Sequence, residues 1–292
     1  MTSQDKNGPQ ITQAMIDAYD DFTHRTLDRR GFMEKLTVLA GSAAAAAVIA
    51  PMLAASPAAA SIVPDTDARI AQESVTYGEM KGYVARPKSP AGALPGVVII
   101  HENRGLNEHT RDVARRMALE GFIALAPDFL TPSGGTPVNE DEARALIGKL
   151  DAARTLANAQ TSVDYLLART DTVKAVGAVG FCWGGALVNR LATKSPNLKA
   201  GVAYYGSQAP VADVPGIKAA LLLHYAGQDD RINAGIEAYR KALTDAGKTF
   251  EIHIYDGVQH AFNNDTSEAR YNKAAADLAW GRTVAWLKKY LV

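Results

Sequence analysis

The stretch Val176-Gly-Ala-Val-Gly-Phe-Cys182-Trp-Gly-Gly-Ala-Leu-Val-Asn-Arg190 decides how this chain folds. Its apolar run, Ala175 to Val179, predicts a short buried strand. A helical pattern begins just after Gly184 and Gly185. Between the two, Gly180-Phe181-Cys182-Trp183-Gly184 spells glycine, any residue, nucleophile, any residue, glycine, with cysteine in the place usually held by serine. Such a nucleophile sits on a sharp, strained strand-to-helix turn, where side chains on the flanking residues would collide with the neighbouring strand and helix. The turn lifts the sulfur out of the sheet and sets it near a helix N-terminus, whose dipole favours thiolate over thiol. A lone cysteine in an apolar stretch is more often a small buried hydrophobe. The functional reading therefore depends on partners further along the chain.

The surrounding sequence alternates strands and helices. Ser74 to Ala85 alternates apolar and polar residues and predicts an edge strand or hairpin. Gly96-Val-Val-Ile-Ile100 is a continuous β-branched run, as expected of a strand buried on both faces of a parallel sheet, and it ends in His101-Glu102-Asn103-Arg104-Gly105. A helix from His109 to Glu120 is followed by a strand over Phe122 to Ala126, stopped by Pro127-Asp128. Thr131 to Val138 reads as a loop, and Asn139 to Arg169 as helix broken near Gly148 to Asp151. Further strands are expected over Gly201 to Tyr205, Ala219 to Ala226 and Phe250 to Tyr255, with helices over Gly235 to Gly247 and Tyr271 to Leu291. This alternation means a mostly parallel central sheet covered by helices on both faces, an α/β class built as a single catalytic domain over residues 74–292. Chemistry in such sheets collects at the carboxyl ends of the strands.

The 292 residues, 47% of them hydrophobic, are ample for a sizeable core. Lys plus Arg and Asp plus Glu balance at 31 each, which gives no sign of a nucleic-acid surface. Cys182 is the sole cysteine, so no intramolecular disulfide can form. No zinc or iron–sulfur spacing and no phosphate-cradling Gly-Lys-Ser/Thr loop occurs, and neither metal nor cofactor is expected.

Residues 1–60 have another character. A polar stretch with one amphipathic patch around Ile11 to Phe22 leads to Asp28-Arg29-Arg30-Gly31-Phe32-Met33-Glu34-Lys35. An Ala-rich apolar run, Leu36 to Ala55, follows, and Ser56-Pro57-Ala58-Ala59-Ala60-Ser61 offers a small-residue cleavage site. The paired arginines with Phe32 and Lys35 resemble a twin-arginine export signal. A membrane anchor, a surface helix and an ordinary secretion signal fit less well: Pro51 interrupts the run, it has no polar face, and the charged region is long. We expect export by the twin-arginine machinery to the periplasm or the outside, a mature start near Ser61, a flexible leader over residues 61–73, and no stable membrane association after cleavage.

A cysteine nucleophile needs a base, and the base needs an orienting carboxylate. In the α/β-hydrolase arrangement they follow in the order nucleophile, acid, histidine. Here Cys182 is followed by Asp229, in Ala226-Gly227-Gln228-Asp229, and by His260, in Asp256-Gly257-Val258-Gln259-His260-Ala261-Phe262. Asp230 is a rival for the acid's role. His24 lies in the leader, His224 and His253 fall inside strands, and His101 and His109 are poorly placed for a base.

These segments, together with His101-Glu102-Asn103-Arg104-Gly105 and Gly180 to Gly185, resemble the dienelactone hydrolase (carboxymethylenebutenolidase) family over about residues 75 to 290. The resemblance implies the α/β-hydrolase fold and a catalytic triad of Cys182, His260 and Asp229. It also implies that Glu102 keeps the resting thiol poorly reactive until substrate displaces the carboxylate, and that the backbone N–H groups of Trp183 and Asn103 form the oxyanion hole. The sequence departs from the dienelactone-cleaving members at Asn264, where they carry a substrate-gripping arginine four residues past the histidine, and Arg104 is the candidate replacement cation. The expected function is hydrolysis of a small-molecule ester or lactone through an acyl-thioester. The alternative is an exported thiol-redox or ligand-binding protein on a retired hydrolase scaffold.

Overall fold

The computed structural model describes residues 10–24, 27–54 and 61–292. Three helices come first: α1 (Gln13–His24), α2 (Arg29–Ala40) and α3 (Ala43–Leu53). The expected cleavage stretch falls on residues 55–60, outside the described residues. The catalytic domain then runs β1 (Ile70–Tyr77), β2 (Met80–Pro87), β3 (Leu94–Ile100), α4 (Glu108–Leu119), β4 (Ile123–Asp128), α5 (Glu140–Ile147), α6 (Ala152–Ala168), β5 (Thr172–Phe181), α7 (Trp183–Lys194), β6 (Leu198–Tyr204), β7 (Ala220–Gln228), α8 (Asp230–Asn233), α9 (Ile236–Asp245), β8 (Phe250–Gln259) and α10 (Lys273–Leu291).

The eight strands form one sheet in the order β1-β2-β4-β3-β5-β6-β7-β8. The pairs β1–β2 and β2–β4 are antiparallel, and every other neighbouring pair is parallel. Val97 to Ile100 are fully buried, as their β-branched run requires. Alternate residues of that run feed the two sides: Val97 and Ile99 pack with Met117 of α4 and Leu287 of α10, whereas Val98 and Ile100 pack with Leu166 of α6 and Leu191 of α7. Each such side chain removed from water contributes roughly 1.5–3 kcal/mol. The two helical layers hold the strand ends in register, and the candidate site stands on those ends.

Several boundaries differ from expectation. The glycines after Cys182 lie inside the first turn of α7, which opens directly at Trp183. A Cβ on Gly184 would come within 2.4 Å of the Ile100 carbonyl oxygen, so its small size serves close packing of helix on strand. β4 continues through Pro127 to Asp128, where it pairs with β2. The leader expected to be flexible is tied down: the Val63 N–H donates to Asp112 (2.7 Å) and the Arg115 Nε donates to the Val63 carbonyl (2.6 Å). Asp112 and Arg115 are buried on α4, and backbone groups of the arriving chain satisfy them. β1 accordingly begins at Ile70, ahead of the expected Ser74.

The first three helices gather around their own cluster of Tyr19, Phe22, Phe32, Leu36, Ile49 and Leu53. No single helix among the described residues is long and apolar enough to cross a membrane; α2 and α3 meet at a 113° bend.

Candidate active site

Cys182 sits between β5 and α7 with φ 53° and ψ −113°, a backbone conformation costly for a residue with a side chain. The turn is held by the Cys182 N–H donating to the Tyr204 carbonyl (2.9 Å) and by the Ala186 N–H donating to the Cys182 carbonyl (3.0 Å), the first bond of α7. A Cβ on Gly180 would lie 2.2 Å from the Gly184 carbonyl oxygen, so only glycine closes the turn this tightly. The Trp183 N–H is one of the donors that a helix leaves without an intrahelical partner at its start.

His260 and Asp229 meet beside it. Both directly follow a strand, β8 and β7, which run in parallel and deliver them side by side. His260 Nδ1 lies 2.5 Å from Asp229 Oδ2, and both residues are buried. Asp229 is also the N-cap of α8, its Oδ1 accepting from the Ile232 N–H at 3.3 Å, which leaves Oδ2 to orient the imidazole. The rival Asp230 is exposed. Burial opposes a charge on Asp229, yet the hydrogen bond from His260 overcomes it and holds the carboxyl below its ordinary value. Burial likewise opposes an imidazolium at His260, but a sulfur that has given up its proton, together with the hydrogen bond to Asp229, outweighs it and raises the pKa to about 10.

Glu102 follows β3 by two residues. Tyr205 Oη donates to its Oε1 (3.1 Å) and Asn264 Nδ2 to its Oε2 (2.9 Å). Asn264, the position of the missing arginine, thus anchors the glutamate. Between Glu102 and the fold's interior, His101 stacks on Trp183 at 5.3 Å; its Nδ1 donates to the Glu102 carbonyl (2.6 Å) and its Nε2 accepts from the Phe129 N–H (3.3 Å). Arg104 pairs with Glu140 of α5 and donates to Tyr19 Oη of α1.

Three neighbours escaped the sequence reading. Tyr205 is fully buried after β6, and Arg270 is 5% exposed with its Nε on Ser267 (3.0 Å). His24, set aside as part of the leader, places its Nε2 3.1 Å from Cys182 Sγ. His24, Cys182 and His260 bring their ligating atoms within 4.8 Å of one another, a set of soft donors that could hold a thiophilic cation. A cavity of about 440 Å³ reaches the sulfur from the side of Trp183, Ile147, Arg144 and Arg231.

A strained cysteine at a strand-to-helix turn, a histidine and an acid at two later strand ends, and an eight-stranded mostly parallel sheet define an α/β-hydrolase. The model of the dienelactone hydrolase family matches residues 80–291, and the chain belongs to that family. A protein of Escherichia coli (strain K12) named as a carboxymethylenebutenolidase is 34% identical, over 81% of this chain and 94% of its own length. One of the same name from Methylorubrum extorquens is 31% identical over 91% of this chain and 96% of its own. The crystal structure of a protein from Klebsiella pneumoniae named as a dienelactone hydrolase matches with a TM-score of 0.70 at 32% identity, covering 76% of this chain and 99% of that one. The chain is a dienelactone hydrolase-like hydrolase.

Proposed function

We propose that the chain hydrolyses a small ester or lactone with Cys182 as nucleophile. The observation that carries the reading is the buried His260–Asp229 pair at 2.5 Å beside a cysteine held at φ 53°. Cys182 gives its proton to His260 Nε2, which Asp229 keeps aimed by holding Nδ1. The thiolate attacks the carbonyl, and the tetrahedral oxyanion is held by the N–H groups of Trp183 and Asn103. Collapse returns the proton through His260 to the leaving oxygen and leaves an acyl-thioester. Water that loses its proton to His260 then releases the acid and restores the thiol. Glu102 and Arg104 line the same small gap as Cys182; this reading gives Glu102 control of the thiol and, once Arg104 is freed from Glu140, gives Arg104 an acidic group of the substrate.

The direct experiment is hydrolysis of an activated ester and of a dienelactone, with Cys182→Ala and Asp229→Asn alongside. We expect Cys182→Ala to abolish turnover and Asp229→Asn to lower it about 10⁴-fold, the effect of losing the imidazole's orientation. Asp230→Asn should leave it near the parent rate. Undiminished turnover in Cys182→Ala would rule out the mechanism.

We also propose export by the twin-arginine route to the periplasm. The Arg29-Arg30 pair ahead of Phe32 and Lys35 supports this reading; both side chains lie at the surface, Arg29 paired with Asp141 and Arg30 with Glu34. Cell fractionation of an Arg29→Lys, Arg30→Lys double variant tests it: retention in the cytoplasm is expected, and unchanged export would exclude the route.

A further inference from the structure

We propose that the active-site cleft doubles as a docking site for residues 13–24 of the same chain, so that the protein with α1 in place is latent. The inference rests on the reading of Cys182 as the nucleophile.

The C-terminal end of α1 points into the cleft. The last carbonyls of a helix have no intrahelical partner and carry the negative end of its dipole. Here the domain supplies the donors. Arg144 Nη1 donates to the Phe22 carbonyl (2.6 Å) and stands over the Phe22 ring at 3.8 Å; Asn103 Nδ2 donates to the Thr23 carbonyl (2.9 Å). Arg270, buried beside the triad, pairs with Asp20 of α1 at 3.4 Å. An acidic helix end therefore meets a cleft lined by Arg104, Arg144, Arg231 and Arg270, a match of opposite charge.

The contact also reaches the reacting atoms. The Thr23 hydroxyl donates to the Tyr19 carbonyl (2.9 Å), so the proton between His24 Nδ1 and Thr23 Oγ1 (2.8 Å) belongs to the imidazole. A neutral His24 then has a bare Nε2, and at 3.1 Å it accepts the thiol proton. His260 Nε2, the atom that should take that proton, is buried without a hydrogen-bond partner among the described residues. With α1 docked the thiol is turned to the wrong imidazole. On the His260 side the helix end also leaves little room. The gap enclosed by Thr23, His24, Glu102, Arg104, Cys182, His260 and Arg270 is about 10 Å³, room for at most a single water. Reagents still reach the sulfur through the larger cavity on the Trp183 side, which makes thiol reactivity a usable readout.

The interface is built to release. The apolar packing of α1, α2 and α3 is internal, and from the catalytic domain Ala269 alone joins it among the described residues. What crosses to the domain is mainly polar: Gln13 on Gln259, Asp20 on Arg270, and two helix carbonyls on Arg144 and Asn103.

The test uses the full chain with a specific-protease site in place of residues 55–60. Two rates are measured before cutting and after cutting and dilution: alkylation of Cys182 by iodoacetamide, and hydrolysis of an activated ester. Cutting should raise both about tenfold or more. His24→Ala in the uncut chain should raise alkylation toward the cut value. Equal alkylation before and after cutting, or no response to His24→Ala, would overturn latency. Release of the uncut chain by a chelator alone would also overturn it, because a bound cation would then be the block. If alkylation rises on cutting while no ester is turned over, docking stands and the hydrolase mechanism falls.

Discussion

The catalytic domain and the three helices before it are held by different physics. In the domain, strand residues such as Val97, Val98, Ile99 and Ile100 are 0% exposed and locked between two helical layers. Removing one contact there leaves a void in a close-packed interior. The N-terminal helices carry a small core of their own, and they lean on the domain through side-chain amides, arginines and carbonyl oxygens, groups that water can also satisfy. The first region is fixed by burial and is costly to open. The second is placed by charge and hydrogen bonding, so it can leave without disturbing what it covers.

Paired core truncations would sharpen or break that contrast. Leu287 is fully buried on α10 against the strand that feeds Cys182, its Cδ2 about one methyl's width from Gly177 (3.0 Å to a Cβ placed there). Leu287→Ala should destabilise the domain by about 2–5 kcal/mol. Phe32, 3% exposed, is stacked on Phe22 at 4.9 Å within the N-terminal cluster. Phe32→Ala should leave the domain's unfolding transition in urea within about 0.5 kcal/mol of the parent, because distant independent sites do not couple. It should instead speed alkylation of Cys182. If Phe32→Ala shifted the domain's transition as far as Leu287→Ala does, the two regions would be one cooperative unit.

The same contrast explains what could be read from the sequence. Cys182, Asp229 and His260 were legible because each follows its strand by one residue, and parallel strands carry their ends to one edge. Glu102 was legible for a related reason, following β3. The start of α7 was misread because Gly184 and Gly185 look like a turn, whereas they are small so that the helix can approach the strand. The segment after Ser61 looked flexible because its partners, Asp112 and Arg115, are about fifty residues away and no local pattern announces them. His24 and Arg270 were invisible for the same reason. Polar contacts over 158 and 250 residues obey no periodicity, unlike the apolar runs that betray a strand.

The smallest expected effect is the most specific to the docked helix, and it comes from the titration of His24. The groups facing this imidazole are Asp20 and Thr23 on α1, Cys182, His260, and Glu102, Asn103, Arg104, Arg231 and Arg270 around the cleft. Burial first, and then the positive charges of His260, Arg231 and Arg270, push the His24 pKa well below its ordinary 6.5. The released helix regains a value of about 6.5. The docked state therefore binds fewer protons than the released one, so the contribution of a neutral His24 to docking is fully present above 6.5 and is lost as the pH falls, about tenfold for each unit. His260 owes its raised pKa first to a negative sulfur, so while Cys182 keeps its proton against His24 that rise is absent. Asp20 acts in the opposite sense, since burial raises its pKa and a docked Asp20 takes up a proton more readily than a free one. The measurement therefore belongs just below the ordinary histidine value, at about pH 6.5 to 5.5. The ratio of alkylation rates in cut and uncut chains should shrink toward one across that unit, because the uncut chain opens on its own. His24→Gln, which keeps a polar tip but cannot charge, should abolish this shrinkage and leave only the opposite trend of Asp20. A ratio that grows as the pH falls would mean that His24 enters the cleft protonated, and the sulfur would then be held as a thiolate in an ion pair and not as a donor.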